Sequence, residues 1–211
     1  MTSEQLEERI KLLEEKVAVM EDIEAIKKLQ RAYGYYLQYA MTDDLVDLFS
    51  DSPDVVLKIA AGEFKGKQGV RRFLSQQNPD KNPEFLHQVM QISGVVDVSP
   101  DRKTAFGRWY GFGATSIPNK DGVSQNWMNG VYECEYVKEE GKWKFKIVHW
   151  CLIFFAPFKE GWVDSSRQLK SLLPHIYRPN SSLAPDGPPE KTTYPSGFLC
   201  PFHYKNPVTG K

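Results

Sequence analysis

The feature that most constrains the fold is the separation of helical and extended segments along the chain. Apolar residues recur at helical spacing up to Phe49, whereas long extended segments follow residue 85. Four of these are predicted as strands, at residues 85–98, 104–116, 124–138 and 144–155. Turns such as Gly141-Lys142 separate them, as in an antiparallel meander. Helices placed ahead of such a meander indicate an α+β fold in which helices cover one face of a strongly curved sheet.

The first helical segment carries a narrow apolar stripe. Within residues 3–20 the stripe members are separated by charged residues and recur every three or four positions: Leu6, Ile10, Leu13, Val17 and Met20. A stripe this short predicts an arm that packs on a neighbouring subunit or on its own domain, not a free coiled coil. The helical pattern continues through residues 20–38, where Tyr33 shares an apolar face with Ile26 and Leu29.

The length of 211 residues predicts one domain with appendages, since about 100–200 residues per domain is usual. We assign residues 1–20 to an N-terminal helical arm, 21–158 to the domain and 159–211 to a C-terminal extension. The extension is Pro-rich, with one short helical candidate at residues 165–173. Aromatic residues recur through it: Tyr177, Tyr194, Phe198, Phe202 and Tyr204. These rings predict an extended arm docked on the domain or on another subunit.

Charge and hydropathy exclude several classes of partner. The 27 Lys and Arg balance the 27 Asp and Glu, so the surplus of cations that nucleic-acid binding requires is absent. The longest apolar stretches, such as residues 147–158, fall short of the roughly 20 residues that span a bilayer. The acidic start lacks the order of a signal peptide. We therefore expect a soluble, cytoplasmic protein without nucleic-acid or membrane partners. Its 13% aromatic content fits either a core or a pocket for a flat ligand.

The cysteines predict no disulfide framework. Cys134, Cys151 and Cys200 are odd in number, and without a secretory signal reduced thiols are expected. Cys200 with His203, and Cys151 with His149, have the spacing of metal-ligand pairs. No second CxxC or HxH completes a tetrahedral set, so we predict no metal. The nucleotide-binding, serine-hydrolase and zinc-protease motifs GxGxxG, GxxxxGK[ST], GxSxG and HExxH are absent as well.

Several short segments occur in an order that resembles a known family. The first is Leu29-Gln30-Arg31-Ala32-Tyr33, followed by Asp43-Asp44-Leu45-Val46-Asp47-Leu48-Phe49-Ser50. The later ones are residues 66–70, 85–89, 130–133 and 141–145. Together they resemble SnoaL-like proteins of the nuclear transport factor two-like superfamily over residues 20–155. The resemblance implies a cone-shaped α+β barrel, in which a bent antiparallel sheet wraps a long helix and leaves a deep pocket at its open end.

The resemblance also implies chemistry. The superfamily includes scytalone dehydratase, bile acid dehydratase, ketosteroid isomerase, polyketide cyclases and a lyase that deformylates lignin-derived diarylpropane diols, which share proton transfer without a cofactor. Members similar to bile acid dehydratase place a Tyr on the first barrel helix, an Asp five residues later, and a His at the start of the third strand. Tyr33 and His87 match, whereas Gln38 stands at the Asp position. The absent carboxylate moves the role of base to His87.

Each candidate residue also has a purely structural interpretation. His87 fits either a general acid/base or an ordinary strand histidine. Tyr33 fits either a donor to a departing hydroxyl or a core aromatic. Alternation places Arg108 on one face of its strand with Phe106 and Tyr110. If that face is inward, Arg108 needs an anionic partner such as a substrate phenolate, and otherwise it covers a solvated face. The predicted substrate-binding residues are Tyr110, Gln38, Asn129, His149 and Trp127.

From these residues we predict a cofactor-independent lyase for a hydroxylated aromatic molecule, with His87, Tyr33 and Arg108 as catalytic residues. A para-hydroxyphenyl substrate can form a quinone methide after losing a benzylic hydroxyl. A specific hypothesis is a diarylpropane diol that gives a stilbene and formaldehyde, which predicts a wide, elongated pocket for two rings. The alternatives are a dehydratase or isomerase of a steroid or polyketide-like substrate, and a non-catalytic binding or assembly module. A homo-oligomer, dimer or trimer, is expected.

Overall fold

A computed structural model describes residues 1–159, 161, 182–190, 192, 196, 198–205 and 207–209. Within them lie three helices: α1 (Ser3–Gln38), α2 (Thr42–Asp47) and α3 (Gly66–Leu74). The six strands are β1 (Val56–Ile59), β2 (Gly62–Lys65), β3 (Leu86–Val98), β4 (Thr104–Asn119), β5 (Gly122–Glu139) and β6 (Lys142–Pro157). The predicted α+β order is confirmed. The helical candidate at residues 165–173, and Tyr177 and Tyr194, lie outside the described residues.

The strands form one curled sheet in the order β2-β1-β6-β5-β4-β3. Strands β3 to β6 are an antiparallel meander, and β1 joins β6 in parallel. In the described part of the chain β2 and β3 remain as edges, so the sheet wraps around α1 without closing. A bulge between Ile92 and Val95 bends β3, with Ser93 at a φ of 55°. Beside it, a Cβ on Gly94 would lie 2.0 Å from the Trp109 ring, so only glycine fits there.

Helix α1 runs without a break from the predicted N-terminal arm into the domain. Thr2 caps it through a hydrogen bond from the Gln5 backbone, and the Gln5 side chain accepts in return. The stripe from Leu6 to Met20 is exposed in the single chain, with Met20 at 65%. Only the second half of α1 lies under the sheet, where it buries Ile26, Leu29, Tyr33 and Leu37. No helix of the described residues is both long and apolar enough to cross a membrane.

A buried carboxylate fixes the point where α1 enters the domain. Asp22 accepts hydrogen bonds from Arg102 Nε and Lys138 Nζ, each at 2.6 Å, and from Trp143 Nε1 at 2.8 Å. Burial alone would raise the pKa of Asp22, but the three donors outweigh burial and lower the pKa. The carboxylate therefore stays ionised at neutral pH and ties α1 to the turns that end β3 and β5.

The core centres on Phe145, which is fully buried on β6. Its ring centroid lies 5.4 Å from those of Tyr33 and Phe49 and 5.3 Å from that of Tyr136. Tyr136 donates a hydrogen bond to Gln30 Oε1 at 2.7 Å. These side chains fill the space between the middle of α1 and the sheet. Beyond Tyr33, toward the C-terminal end of the helix, part of that space is empty.

Candidate active site

A cavity of about 100 Å³ lies between the C-terminal end of α1 and the concave face of the sheet. Residues of α1, α3, the β1–β2 turn and strands β3 to β6 line it. Most of the wall is aromatic or aliphatic, and five polar side chains interrupt it: Tyr33, Gln77, His87, Thr115 and Tyr132. Few polar groups in an apolar wall are typical of a site for a small, largely apolar molecule.

The indole of Trp150 forms one wall of the cavity and depends on two glycines. Gly111 and Gly130 are directly paired across β4 and β5. A Cβ would lie 2.4 Å from the Trp150 ring at Gly111 and 2.7 Å at Gly130, so the indole can lie there only because both residues lack side chains. The Tyr132 ring packs on Trp150, with centroids 4.4 Å apart, and meets Tyr33 edge-on at 6.1 Å.

His87 lies at the second position of β3 and lines the cavity. The residue is half-buried, and its ring packs edge-on against Phe85 at 6.4 Å. Desolvation by the surrounding apolar groups lowers the pKa of His87 to about 4, so the imidazole is neutral at physiological pH. Among the described residues, no side chain or backbone group hydrogen-bonds to it. A neutral imidazole without an internal partner is available to accept a proton from a ligand.

Tyr33 lies on α1 with only 3% of its surface exposed. Burial raises the pKa of the Tyr33 phenol, so the hydroxyl stays protonated at any physiological pH. Its hydroxyl, too, has no hydrogen-bond partner in the part of the chain that the structure describes. The predicted pair of His87 and Tyr33 therefore shares one cavity, although no hydrogen bond joins the two side chains. One group offers a lone pair and the other a proton.

Arg108 lies on the opposite, convex face of the sheet. The predicted alternation is correct, but Gly107, Trp109 and Gly111 are the inward set. Arg108 Nη1 pairs with Glu133 Oε2 at 2.9 Å, and the guanidinium lies 4.1 Å from the centre of the Phe202 ring. The prediction that Arg108 acts on the substrate in the cavity is therefore corrected. Its counter-charge is Glu133 on the neighbouring strand, not a ligand.

Most predicted substrate-binding residues also lie outside the cavity. Tyr110, Asn129, His149 and Trp127 follow the same alternation onto the convex face. There Trp127 stacks between Phe112 and Phe158, with centroids 5.7 and 5.3 Å away. Gln38 borders a separate surface groove between α1 and β3. Their placement in the cavity is thus corrected as well, because each points away from the concave face or lies beyond its edge.

Sequence reasoning did not single out Tyr132, Trp150 and Thr115, which do line the cavity. Strand alternation could have identified two of them, because Tyr132 is next to Glu133 and Trp150 is next to His149. Once one member of each pair is assigned to the convex face, alternation places the other in the cavity. Asn126, beside the cavity, donates a hydrogen bond to Thr115 Oγ1 at 3.4 Å.

The convex face also brings together residues that are distant in sequence. Cys151 Sγ lies 2.8 Å from Cys200 Sγ and 3.3 Å from His149 Nε2. Both cysteines are buried, and neither is in a disulfide. His203 is not part of this group, because it contacts Glu133 and Asp97 instead.

A curled sheet wrapped over one long helix, with a mostly apolar cavity on its concave side, defines the nuclear transport factor two-like class of proteins. Within that class the chain belongs to the SnoaL-like domain family, whose model matches residues 18–149. The predicted family resemblance is thereby confirmed.

Solved structures agree on the fold. A protein from Novosphingobium aromaticivorans assigned as a scytalone dehydratase superposes with a TM-score of 0.56 at 17% identity, covering 71% of this chain and 94% of that one. An NTF2-like protein with a cystatin-like fold from the same organism gives 0.52 at 15% identity, covering 76% and 94%. LinA gives 0.53 at 19% identity, covering 70% and 97%. At these identities the likeness shows the fold alone.

Proposed function

We propose that this protein is a cofactor-independent lyase that acts on a hydroxylated aromatic small molecule. Members of the SnoaL-like family are often cofactor-independent dehydratases or isomerases. The observation that carries the proposal is the convergence of His87 and Tyr33 on one mostly apolar cavity. Polar groups at such positions normally have partners, so two that have none among the described residues support a ligand that supplies one.

The protonation states support distinct roles for the two residues. His87 is neutral at physiological pH because its pKa is lowered to about 4, so it is in the form that can take a proton from the substrate. Tyr33 remains protonated, since burial raises its pKa, and donates a hydrogen bond to the departing hydroxyl. Each such acid or base group contributes typically ~10²–10⁴-fold to the rate. Tyr132, also in the wall, is a second hydroxyl within reach of a bound polar group.

The proposed chemistry starts from a para-hydroxyphenyl carbinol. Loss of the phenolic proton and of the benzylic hydroxyl, as water, gives a quinone methide. If the adjacent carbon carries a hydroxymethyl group, His87 removes its hydroxyl proton, the carbon–carbon bond breaks, and its electron pair restores the aromatic ring. A diarylpropane-1,3-diol would then give a stilbene, formaldehyde and water. If that carbon carries only hydrogen, loss of a proton gives the dehydrated alkene.

The cavity volume bears on which substrate is taken. About 100 Å³ is close to the ~150 Å³ of an apolar cavity that holds one benzene, and below the ~300–1,000 Å³ of most ligand pockets. The wide, elongated pocket predicted for two rings is therefore not what the structure has. A one-ring phenolic carbinol fits better, whereas a two-ring diol would have to enter with the wall displaced.

The experiment is incubation with para-hydroxyphenyl carbinols and 1,3-diols of one and two rings, with mass spectrometry of the products. We expect loss of water, or of water and formaldehyde. His87→Gln should lower kcat/KM by roughly 10²–10⁴-fold and Tyr33→Phe by a smaller factor. The matched controls are Gln88→Ala, exposed on the convex side of β3, and Tyr35→Phe, 66% exposed on α1.

Three outcomes would count against the proposal. Turnover that His87→Gln leaves unchanged removes His87 from the mechanism. A product of unchanged mass indicates an isomerase. Tight binding of the phenols without any product indicates a non-catalytic binding module.

A further inference from the structure

The proposed reaction leaves unused a second cluster of reactive side chains on the convex face of the sheet. His149 and Cys151 extend from β6, and Cys200 approaches them from the C-terminal segment. One ligand atom from each, an imidazole nitrogen or a thiol sulfur, lies within 4.8 Å of the others. Imidazole and two thiols are the ligand types that Zn²⁺ and related thiophilic ions select. We propose that His149, Cys151 and Cys200 bind one such metal ion.

The histidine is oriented as metal ligands usually are. Both ring nitrogens lie near Cys151 Sγ, Nε2 at 3.3 Å and Nδ1 at 3.5 Å, and Nε2 also lies 2.9 Å from Glu190 Oε2, so Nδ1 is the nitrogen left for the ion when Nε2 donates to Glu190. Metal-binding histidines almost always use their second nitrogen to bind a carboxylate or carbonyl, which fixes the tautomer and the ring orientation. Glu190 is itself held by Lys58 Nζ at 2.6 Å. Glu190 is therefore a positioning residue for the proposed ligand.

The charges around the cluster leave room for a cation. Arg108 is paired with Glu133, and Lys58 with Glu190, so the flanking charges already compensate one another. Two thiolates would add two negative charges to a largely buried site, and a divalent ion would neutralise both. Metal binding requires that both cysteines ionise to thiolates.

The geometry also leaves one coordination position open. Cys151 and Cys200 line a cavity of about 170 Å³ on the convex face, together with Arg108 and Phe202. A water or a small anion in that space can complete a tetrahedral set. Two sulfurs on one tetrahedral ion lie roughly 3.7 Å apart, given Zn–S bonds of ~2.3 Å. The observed 2.8 Å must therefore widen by about 1 Å when the ion binds, which requires rotation of a cysteine side chain about its Cα–Cβ bond.

The test is metal binding to the full chain, freed of any affinity tag, reduced with a phosphine and stripped with chelator. Titration with Co²⁺ should produce thiolate-to-cobalt charge-transfer absorption that saturates at one ion per chain, and Zn²⁺ should abolish it. Cys200→Ser and Cys151→Ser should each lose the charge-transfer band or weaken it at least tenfold. Glu190→Gln should weaken Co²⁺ binding by roughly 10–100-fold while retaining the spectrum.

The control is Cys134→Ala, which removes the third cysteine from the concave face and should bind Co²⁺ like the parent. Circular dichroism shows whether each variant is folded, and Cys200→Ser is the decisive one because Cys200 lies outside the sheet. Two results would overturn the proposal: no stoichiometric Co²⁺ absorption in the reduced protein, or equal Co²⁺ binding by Cys200→Ser. Isolation of the chain with Cys151 and Cys200 oxidised to a disulfide, and no metal binding after reduction, would instead assign the pair to redox chemistry.

Discussion

The two faces of the sheet differ in whether their polar side chains have partners within the protein. On the concave face, the polar groups of His87 and Tyr33 lie among apolar side chains and have no hydrogen-bond partner within the described part of the chain. On the convex face, Arg108 pairs with Glu133, and His149 pairs with Glu190. The paired charges of the convex face are satisfied within the protein, whereas unpaired polar groups in an apolar wall are available to bind a ligand. The difference locates the catalytic candidates on the concave face and the docking of the C-terminal segment on the convex face.

The largest expected contrast between the faces is in stability. Phe145→Ala on the concave face should lower the free energy of unfolding by about 3–5 kcal/mol, because it opens a cavity among three packed rings. Ile153→Ala, 37% exposed on the same strand, should cost about 1 kcal/mol. Urea unfolding measures both. Equal losses would contradict the assignment of the core to the concave face.

The next effect is a pH dependence that belongs to His87. Its pKa is about 4 in the folded chain and 6.5 in the unfolded one, so between these values the unfolded chain binds more protons. Stability is complete above pH 6.5 and falls as the pH drops toward 4, by up to about 3 kcal/mol. His87→Asn should flatten that part of the curve, and Gln88→Asn should not. Parallel curves for His87→Asn and the parent would refute the desolvated environment.

The smallest expected effect concerns the convex face. Arg108→Ala removes the ion pair with Glu133 and the hydrogen bonds to the carbonyl oxygens of Cys200 and Pro201. Unfolding free energy should fall by about 1–2 kcal/mol, because Glu133 loses its guanidinium partner but keeps its contact with His203. Limited proteolysis should nevertheless cut the C-terminal segment faster, and Arg108→Lys should be intermediate. An unchanged cleavage rate would show that Arg108 does not hold this segment.

The sequence predicts the order of elements well because periodicity is a local property. Strands β3 to β6 begin and end within three residues of their predicted limits. Alternation likewise groups Arg108 correctly with Phe106 and Tyr110. It does not say which of the two alternating sets is inward, because that depends on how the sheet curls around α1. Six of the eight predicted site residues were misplaced for this reason or because they lie at the edge, and only His87 and Tyr33 line the cavity.

The convex cluster shows a second limit of local patterns. Spacing along the chain indicated two separate half-sites, His149 with Cys151 and Cys200 with His203. In the structure Cys200 lies next to His149 and Cys151, whereas His203 contacts Glu133. The path of the C-terminal segment decides whether Cys200 or His203 reaches His149 and Cys151. No short motif encodes that path.

The paired glycines behind Trp150 have a consequence for how this scaffold can change its substrate range. Gly111 and Gly130 set the depth of the indole, since neither offers a side chain to lift it. A methyl group at Gly111 would push the indole toward the cavity, whereas one at Gly130 would also meet the backbone carbonyl of Cys151 at 2.6 Å. A smaller residue in place of Trp150 would extend the cavity toward β4 and β5. The size of molecule that the cavity admits can therefore be changed through Gly111 and Trp150 without altering His87 or Tyr33.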